Sequence, residues 1–177
     1  MKKAFLPGLT LVVTVVLVYA LVRYMGMRGF PFAFALNFIL MACVLIFMDT
    51  LKSPLNAPYF EEKAWEKRGK VYTLFGVGVY RKLLVVTGWE KLNRQAKPVK
   101  HDAGALSYLY YRTKQDELGH LVILLIVSGF TVFVAFRFGM REALWLLGLN
   151  VLLNLYPIFL QRANRPRIER VMKLAKR

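Results

Sequence analysis

Acidic residues are scarce in this chain. Its 177 residues include 10 Asp and Glu against 26 Lys and Arg, a formal net charge of +16. Cysteine and histidine are scarcer still, at one and two. One cysteine closes no intramolecular disulfide, which excludes a disulfide-stapled scaffold. Two histidines, no thiol pair and no HExxH run leave too few ligands for a typical zinc site, so no metal is expected. Charge of either sign is missing from long stretches. Hydrophobic residues make up 57% of the chain and charged ones 20%, against about 45–50% and 25% in soluble domains. The apolar surplus sits in four blocks with almost no charge, which excludes an ordinary soluble globular domain. There is no useful internal repeat and no low-complexity tract. The length fits one domain, 1–177.

The four blocks run from about Phe5 to Val22, Phe30 to Met48, Leu121 to Phe136 and Ala143 to Leu160. Each approaches the ~20 residues that a helix needs to cross ~30 Å of hydrocarbon. The third is short and is expected to begin earlier, to take in His120, or to sit in thinned bilayer. Tight connections at 23–29 and 137–142 suggest two helical hairpins. The fold class is therefore all-α integral membrane, with four spans and an interfacial helical segment between spans two and three. Basic residues orient it. Of the 26 Lys and Arg, 22 fall before span one, in segment 49–120 or after Leu160; the short loops hold Arg23, Arg28, Arg137 and Arg141. The positive-inside rule places the larger group, and so both termini, in the cytoplasm. Met1-Lys2-Lys3 and its apolar run also fit the start of a signal peptide, but the run is long and no A-x-A site follows it. Topology accounts for the charge, so no nucleic-acid partner is expected.

Segment 49–120 is too long for an idle connection. Asn56, Pro54 and Pro58 mark an irregular start. YFEEKAWEKRGK, from Tyr59 to Lys70, mixes aromatics and charges at helical spacing. Val71 to Val86 is apolar around Arg81 and Lys82, and is better suited to lie along a membrane than to cross it. Gly76-Val77-Gly78 lacks the frame of a dinucleotide loop and suggests close packing or a bend. Gly88 to Gly104 is polar surface loop, with His101-Asp102 solvated among Lys97, Pro98 and Lys100. Ala105 to Gly119 is expected to form a helix leading into span three, with Tyr108, Tyr110 and Tyr111 near the interface.

Three groups of residues are able to carry chemistry. Thr113, Glu117 and His120 share one helical face by their spacing of four and three. A His there suits a general base near neutral pH, and a carboxylate one turn away can orient it. The spacing fits a solvated helix-end pair equally well. Asn150 and Asn154 lie one turn apart in span four, and Gln161, Asn164 and Arg165 continue roughly that face. Polar groups at membrane depth face a bundle interior or a cavity, or serve only interhelical hydrogen bonds. Pro157 is expected to kink this helix. Arg162, Arg165 and Arg167 then stand near the bilayer surface, where guanidinium forks bind phosphate or merely attract anionic lipid. Arg170, Lys173, Lys176 and Arg177 fit a solvated face, and Cys43 fits buried packing.

Three stretches together resemble the glycosyl-4,4′-diaponeurosporenoate acyltransferase family of small bacterial membrane proteins. They are YFEEKAWEKRGKVYTLFGVGVYRK, with Glu66, Gly69, Lys70, Tyr72, Arg81 and Lys82; RTKQDELGH, with Thr113, Lys114, Glu117 and His120; and NLYPIFLQRANRPR, with Asn154, Pro157, Gln161, Arg162, Asn164, Arg165 and Arg167. They span about 59 to 167, and the last is the most specific. The first hairpin is generic, and 88–104 matches no part of the pattern.

The resemblance implies a multi-pass protein of the bacterial cell membrane that esterifies a sugar hydroxyl on a glycosylated carotenoid acid or similar lipid glycoside. The donor would be a cytoplasmic acyl-CoA or acyl-carrier thioester, with no other cofactor. On this reading His120 is the general base and Glu117 orients it. Asn154 or Gln161 meets the developing oxyanion, while Arg162, Arg165, Arg167 and Lys70 hold donor phosphates. Glu66, Thr113 and Asn164 complete the substrate-binding set. The bilayer, the amphipathic acceptor and the thioester donor are the expected partners. Two other classes stay open: a small membrane methyltransferase of the isoprenylcysteine or phospholipid type, and a non-enzymatic lipid-binding protein whose basic face acts by charge alone.

Overall fold

The computed structural model describes residues 2–51, 53–89 and 103–174. The described residues are mostly helical, with no strand among them. In chain order they form α1 (Lys2–Met25), α2 (Gly29–Leu51), 3-10 turns at Pro58–Phe60 and Ala64–Glu66, α3 (Lys70–Leu74), α4 (Val77–Val86), α5 (Ala103–Phe138), α6 (Met140–Asn150), a π turn at Val151–Leu155, and α7 (Tyr156–Leu174). The expected positions of His101, Asp102, Lys97, Pro98, Lys100, Lys176 and Arg177 lie outside the described residues.

Four helical stretches are long and apolar enough to cross a membrane: Phe5–Met25, Gly29–Leu51, Gly104–Phe138 and Met140–Leu174. The third block looked short because its helix begins well before its apolar part, at Ala103, and runs through RTKQDELGH into it. Threonines within apolar helices satisfy their hydroxyls locally. Thr10 donates to Leu6 O at 2.9 Å, Thr14 to Thr10 O at 2.7 Å and Thr131 to Val127 O at 2.7 Å, as a hydrocarbon environment demands.

Two compact units divide the chain, each assembled from separated segments. The first holds Met1–Pro54 and Leu118–Pro157; the second holds Leu55–Glu117 and Ile158–Arg177. In the first, α2 presents one stripe, Phe32, Leu36 and Leu40, at a spacing of four and essentially without exposure. Ile123, Val127 and Val134 of α5 and Ala143 and Leu146 of α6 close on the same core. Cys43 is buried on that stripe. Glu142 accepts the backbone N–H of Gly29 at 3.1 Å, placing an acidic group at the N-terminus of α2, where orphan donors gather.

Span four is interrupted as Pro157 requires. Pro157 cannot donate to a carbonyl four residues back, and its ring crowds that carbonyl. The chain answers with a π turn in which the N–H of Tyr156 reaches Val151 O. One residue is thereby added to the turn that carries Asn154.

In the second unit, the charged and aromatic spacing of Tyr59 to Lys70 does not produce a continuous helix. Two 3-10 turns form instead, followed by three successive residues with positive φ: Lys67 at 48°, Arg68 at 58° and Gly69 at 79°. Gly69 is required on two counts. Its φ disfavours a side chain, and a Cβ would lie 3.0 Å from both Cα and O of Ala163. The apolar stretch from Val71 also breaks, at Gly76 (φ 80°), into α3 and α4. Tyr72, Val77 and Ala163 form a small core with Phe159 and Leu160 packed on it.

Candidate functional site

Each unit contains a polar cluster, and the two differ in charge. In the second unit, the 3-10 turn delivers Glu66, α5 delivers Thr113 and Glu117, and α7 delivers Arg162 and Arg165. All five are buried, Glu117 completely. Arg162 donates from Nε to Glu117 Oε1 at 2.6 Å, from Nη1 to Glu66 Oε1 at 3.0 Å and from Nη2 to Tyr59 O at 2.8 Å. Its guanidinium carbon lies 4.6 Å from the centre of the Tyr59 ring. Arg165 donates to Thr113 Oγ1 and Thr113 O, each at 3.2 Å, to Phe60 O at 3.0 Å, and through Nη2 to Glu117 Oε2.

Glu66 is held from both sides. Its Oε1 accepts the Tyr72 hydroxyl at 2.6 Å and its Oε2 accepts the Lys63 backbone N–H at 3.0 Å. Two carboxylates and two guanidiniums therefore form a charge-balanced network with directional partners for each. That is the condition under which buried charges are tolerated. Burial first, then the bond to Glu66, raises the Tyr72 phenol above its ordinary pKa. Burial, then the charge of Glu117, does the same for Tyr59, and burial pushes Tyr80 up to about 12.

The first unit contains a neutral cluster. Asn37 lies on α2, His120 and Ser128 on α5, Asn150 at the end of α6 and Asn154 in the π turn. Asn37 Nδ2 donates to Ala33 O at 2.8 Å. Asn150 Nδ2 donates to Leu124 O at 3.1 Å and to Ser128 Oγ at 3.2 Å. Asn154 Nδ2 donates to Asn37 Oδ1 at 2.8 Å and to Asn150 Oδ1 at 2.9 Å. Asn154 Oδ1 lies 3.3 Å from His120 Nδ1.

The site residues expected from the sequence thus fall into distinct environments. Glu66, Thr113, Glu117, Arg162 and Arg165 converge, although 45 to 105 residues of chain separate the bonded partners of the two arginines. Their guanidiniums face carboxylates and carbonyls of the protein itself, where phosphates were expected. The group facing His120 Nδ1 is the Asn154 amide oxygen, and the Asn154 N–H pair, expected at an oxyanion, serves Asn37 and Asn150. Asn164 Oδ1 accepts from Arg81 Nη2 at 2.6 Å. Gln161 is half-buried; Lys70 and Arg167 are exposed. Asn37 was missed, yet an amide in the otherwise apolar run FALNFIL is the kind of signal that marks a bundle interior.

These features define a class: a helical membrane protein with a charge-balanced ion cluster in one unit and a histidine on an asparagine relay in the other. The family follows from comparison. The model of the CrtO family, glycosyl-4,4′-diaponeurosporenoate acyltransferase, matches residues 56–174, and the chain belongs to that family. No curated protein and no solved structure matches it.

Proposed function

We propose that this protein is an O-acyltransferase of the bacterial cell membrane, with both termini and segment 49–120 in the cytoplasm. It moves a fatty acyl group from a cytoplasmic thioester, acyl-CoA or acyl carrier, to a sugar hydroxyl of a lipid-like glycoside such as a glycosyl carotenoid acid. His120 takes the hydroxyl proton as the sugar oxygen attacks the thioester carbonyl. The tetrahedral intermediate collapses, the carbon–sulfur bond breaks, and the proton passes from the imidazolium to the departing thiolate. An ester and a free thiol result. Asn154 orients the ring, while Glu117 anchors α5 through Arg162 and Arg165. The exposed cations Lys70 and Arg167 attract the anionic donor over a distance, a contribution that weakens with salt.

The observation that carries this reading is the bond between His120 Nδ1 and the Asn154 amide oxygen in a chain of an acyltransferase family. That contact leaves Nε2 as the basic nitrogen of the neutral ring. The test is mass spectrometry of lipids and pigments from cells expressing wild type beside His120→Ala. Wild type should yield a product heavier by one fatty acyl group, and the variant, at equal expression, should lose at least ~100-fold in rate. Unchanged turnover in His120→Ala would remove the general base from the reading. Binding of S-adenosylmethionine in place of an acylated product would favour methyl transfer.

A further inference from the structure

Asn37 lies on α2, outside the residues 56–174 that match the family, yet it stands two bonds from His120. The orientation of each amide in between can be worked out in sequence. Asn37 Nδ2 is fixed by a backbone carbonyl, Ala33 O at 2.8 Å. Its oxygen must then face Asn154, at 2.8 Å, and be met there by a donor. Asn150 is fixed the same way, because its Nδ2 faces Leu124 O at 3.1 Å, and its oxygen also receives Asn154 Nδ2. An amide nitrogen has two hydrogens, and both are engaged. Asn154 Oδ1 is therefore the atom left for His120, and an oxygen acceptor requires the proton on Nδ1.

We infer that Asn37 is a positioning residue that sets the tautomer of His120 through Asn154, so that Nε2 carries the lone pair. Backbone carbonyls of α2 and α5 anchor the two ends of the relay. With Asn37 replaced by an apolar residue, one Asn154 hydrogen loses its acceptor. The amide is then less strongly held against turning, and a turned amide presents N–H to the ring. His120 answers by moving its proton to Nε2, so the lone pair passes to Nδ1, where the turned Asn154 N–H engages it, and Nε2 is no longer basic. The inference rests on His120 being the base for its consequence in catalysis, but the tautomer itself can be read without turnover.

The experiment is ring 15N NMR of the full chain in detergent, at a pH where the imidazole is neutral. The chain has two histidines, so a His101→Gln variant assigns the signals of His120. Wild type should carry its proton on Nδ1. Asn37→Leu should move the tautomer ratio toward Nε2–H by roughly 3- to 20-fold, the range given by one interhelical hydrogen bond in a membrane. Asn154→Asp, which keeps an oxygen opposite the ring, should retain the proton on Nδ1. Nε2–H as the main wild-type form overturns the inference without any variant. A folded Asn37→Leu with an unmoved ratio, or Asn154→Asp with Nε2–H, overturns it as well. Acyl transfer is measured separately. A shifted tautomer with unchanged transfer keeps the relay and rejects His120 as the base, whereas lost transfer with an unshifted tautomer rejects the relay alone.

Discussion

The two polar clusters answer the same problem with different chemistry. In the second unit, Glu66, Glu117, Arg162 and Arg165 are ionised side chains whose burial is tolerable because each charge meets an opposite one and the remaining donors find carbonyls. In the first unit, Asn37, Asn150, Asn154 and His120 bring amides and an imidazole among apolar helices. Removing one member of an ionic network strands a charge, whereas removing one amide leaves a dipole that can turn. The ionic cluster should therefore govern stability, and the neutral one the fine placement of a reactive group.

Glu117→Ala tests the first half of that contrast most severely. It leaves Arg162 with Glu66 alone and Arg165 with no carboxylate in the network. Breaking a buried pair in this way costs on the order of 3–5 kcal/mol. Thermal unfolding in detergent should show a large loss, and a variant as stable as wild type would mean that the guanidiniums reach water or other partners. Gly69→Ala attacks the same unit through its backbone. A Cβ there meets the Ala163 backbone at 3.0 Å with φ at 79°, and the left-handed conformation alone costs about 1–2 kcal/mol. A loss of about 2 kcal/mol or more is expected by the same measurement.

Alkaline pH sharpens the comparison, because the raised tyrosines outside the spans, Tyr59, Tyr72 and Tyr80, all lie in the second unit. Each keeps its proton in the folded state above pH 10, where the unfolded chain has lost it. The unfolded state then binds fewer protons, so stability falls as pH rises from 10 toward the folded values. The stabilisation is complete below pH 10. The slope is about 1.4 kcal/mol per pH unit for each tyrosine that stays protonated. Melting temperatures between pH 9 and 11 should bend downward, and Tyr72→Phe should reduce the bend. A bend unaltered by that substitution would assign it elsewhere.

Much of the helical frame can be read directly from the residues. Four apolar blocks became four long helices, and Pro157 became a π turn, because both signals act locally on the backbone. The short third block was legible only in part, since a helix does not end where its apolar residues end. Tyr59 to Lys70 misled for a different reason. Its spacing fits a helix, but Glu66 is drawn to Arg162, 96 residues away, and the left-handed run at 67–69 lets Gly69 approach Ala163. Composition likewise identifies arginines without saying whether they meet a ligand's phosphate or the chain's own carboxylate. Asn37 was legible as an anomaly, but its partner on another helix was not.

The smallest expected effect belongs to Asn150→Ala, and it decides whether the neutral cluster is as forgiving as the contrast requires. Asn150 supplies one of two acceptors for Asn154 Nδ2, at 2.9 Å, and its own N–H groups reach Leu124 O and Ser128 Oγ. The substitution removes these bonds together but strands no charge. Interhelical hydrogen bonds in membranes average about 0.6 kcal/mol and reach about 1.7. Asn37 still accepts from Asn154, but the second amide hydrogen loses its acceptor just as it does in Asn37→Leu, so the His120 tautomer ratio should shift toward Nε2–H by a similar few-fold. Stability should fall by about 1 kcal/mol in detergent, with acylated product reduced only a few-fold. A loss approaching that of Glu117→Ala would mean that the asparagines hold the helices together as strongly as the ions hold the second unit, and the division of labour between the clusters would fail.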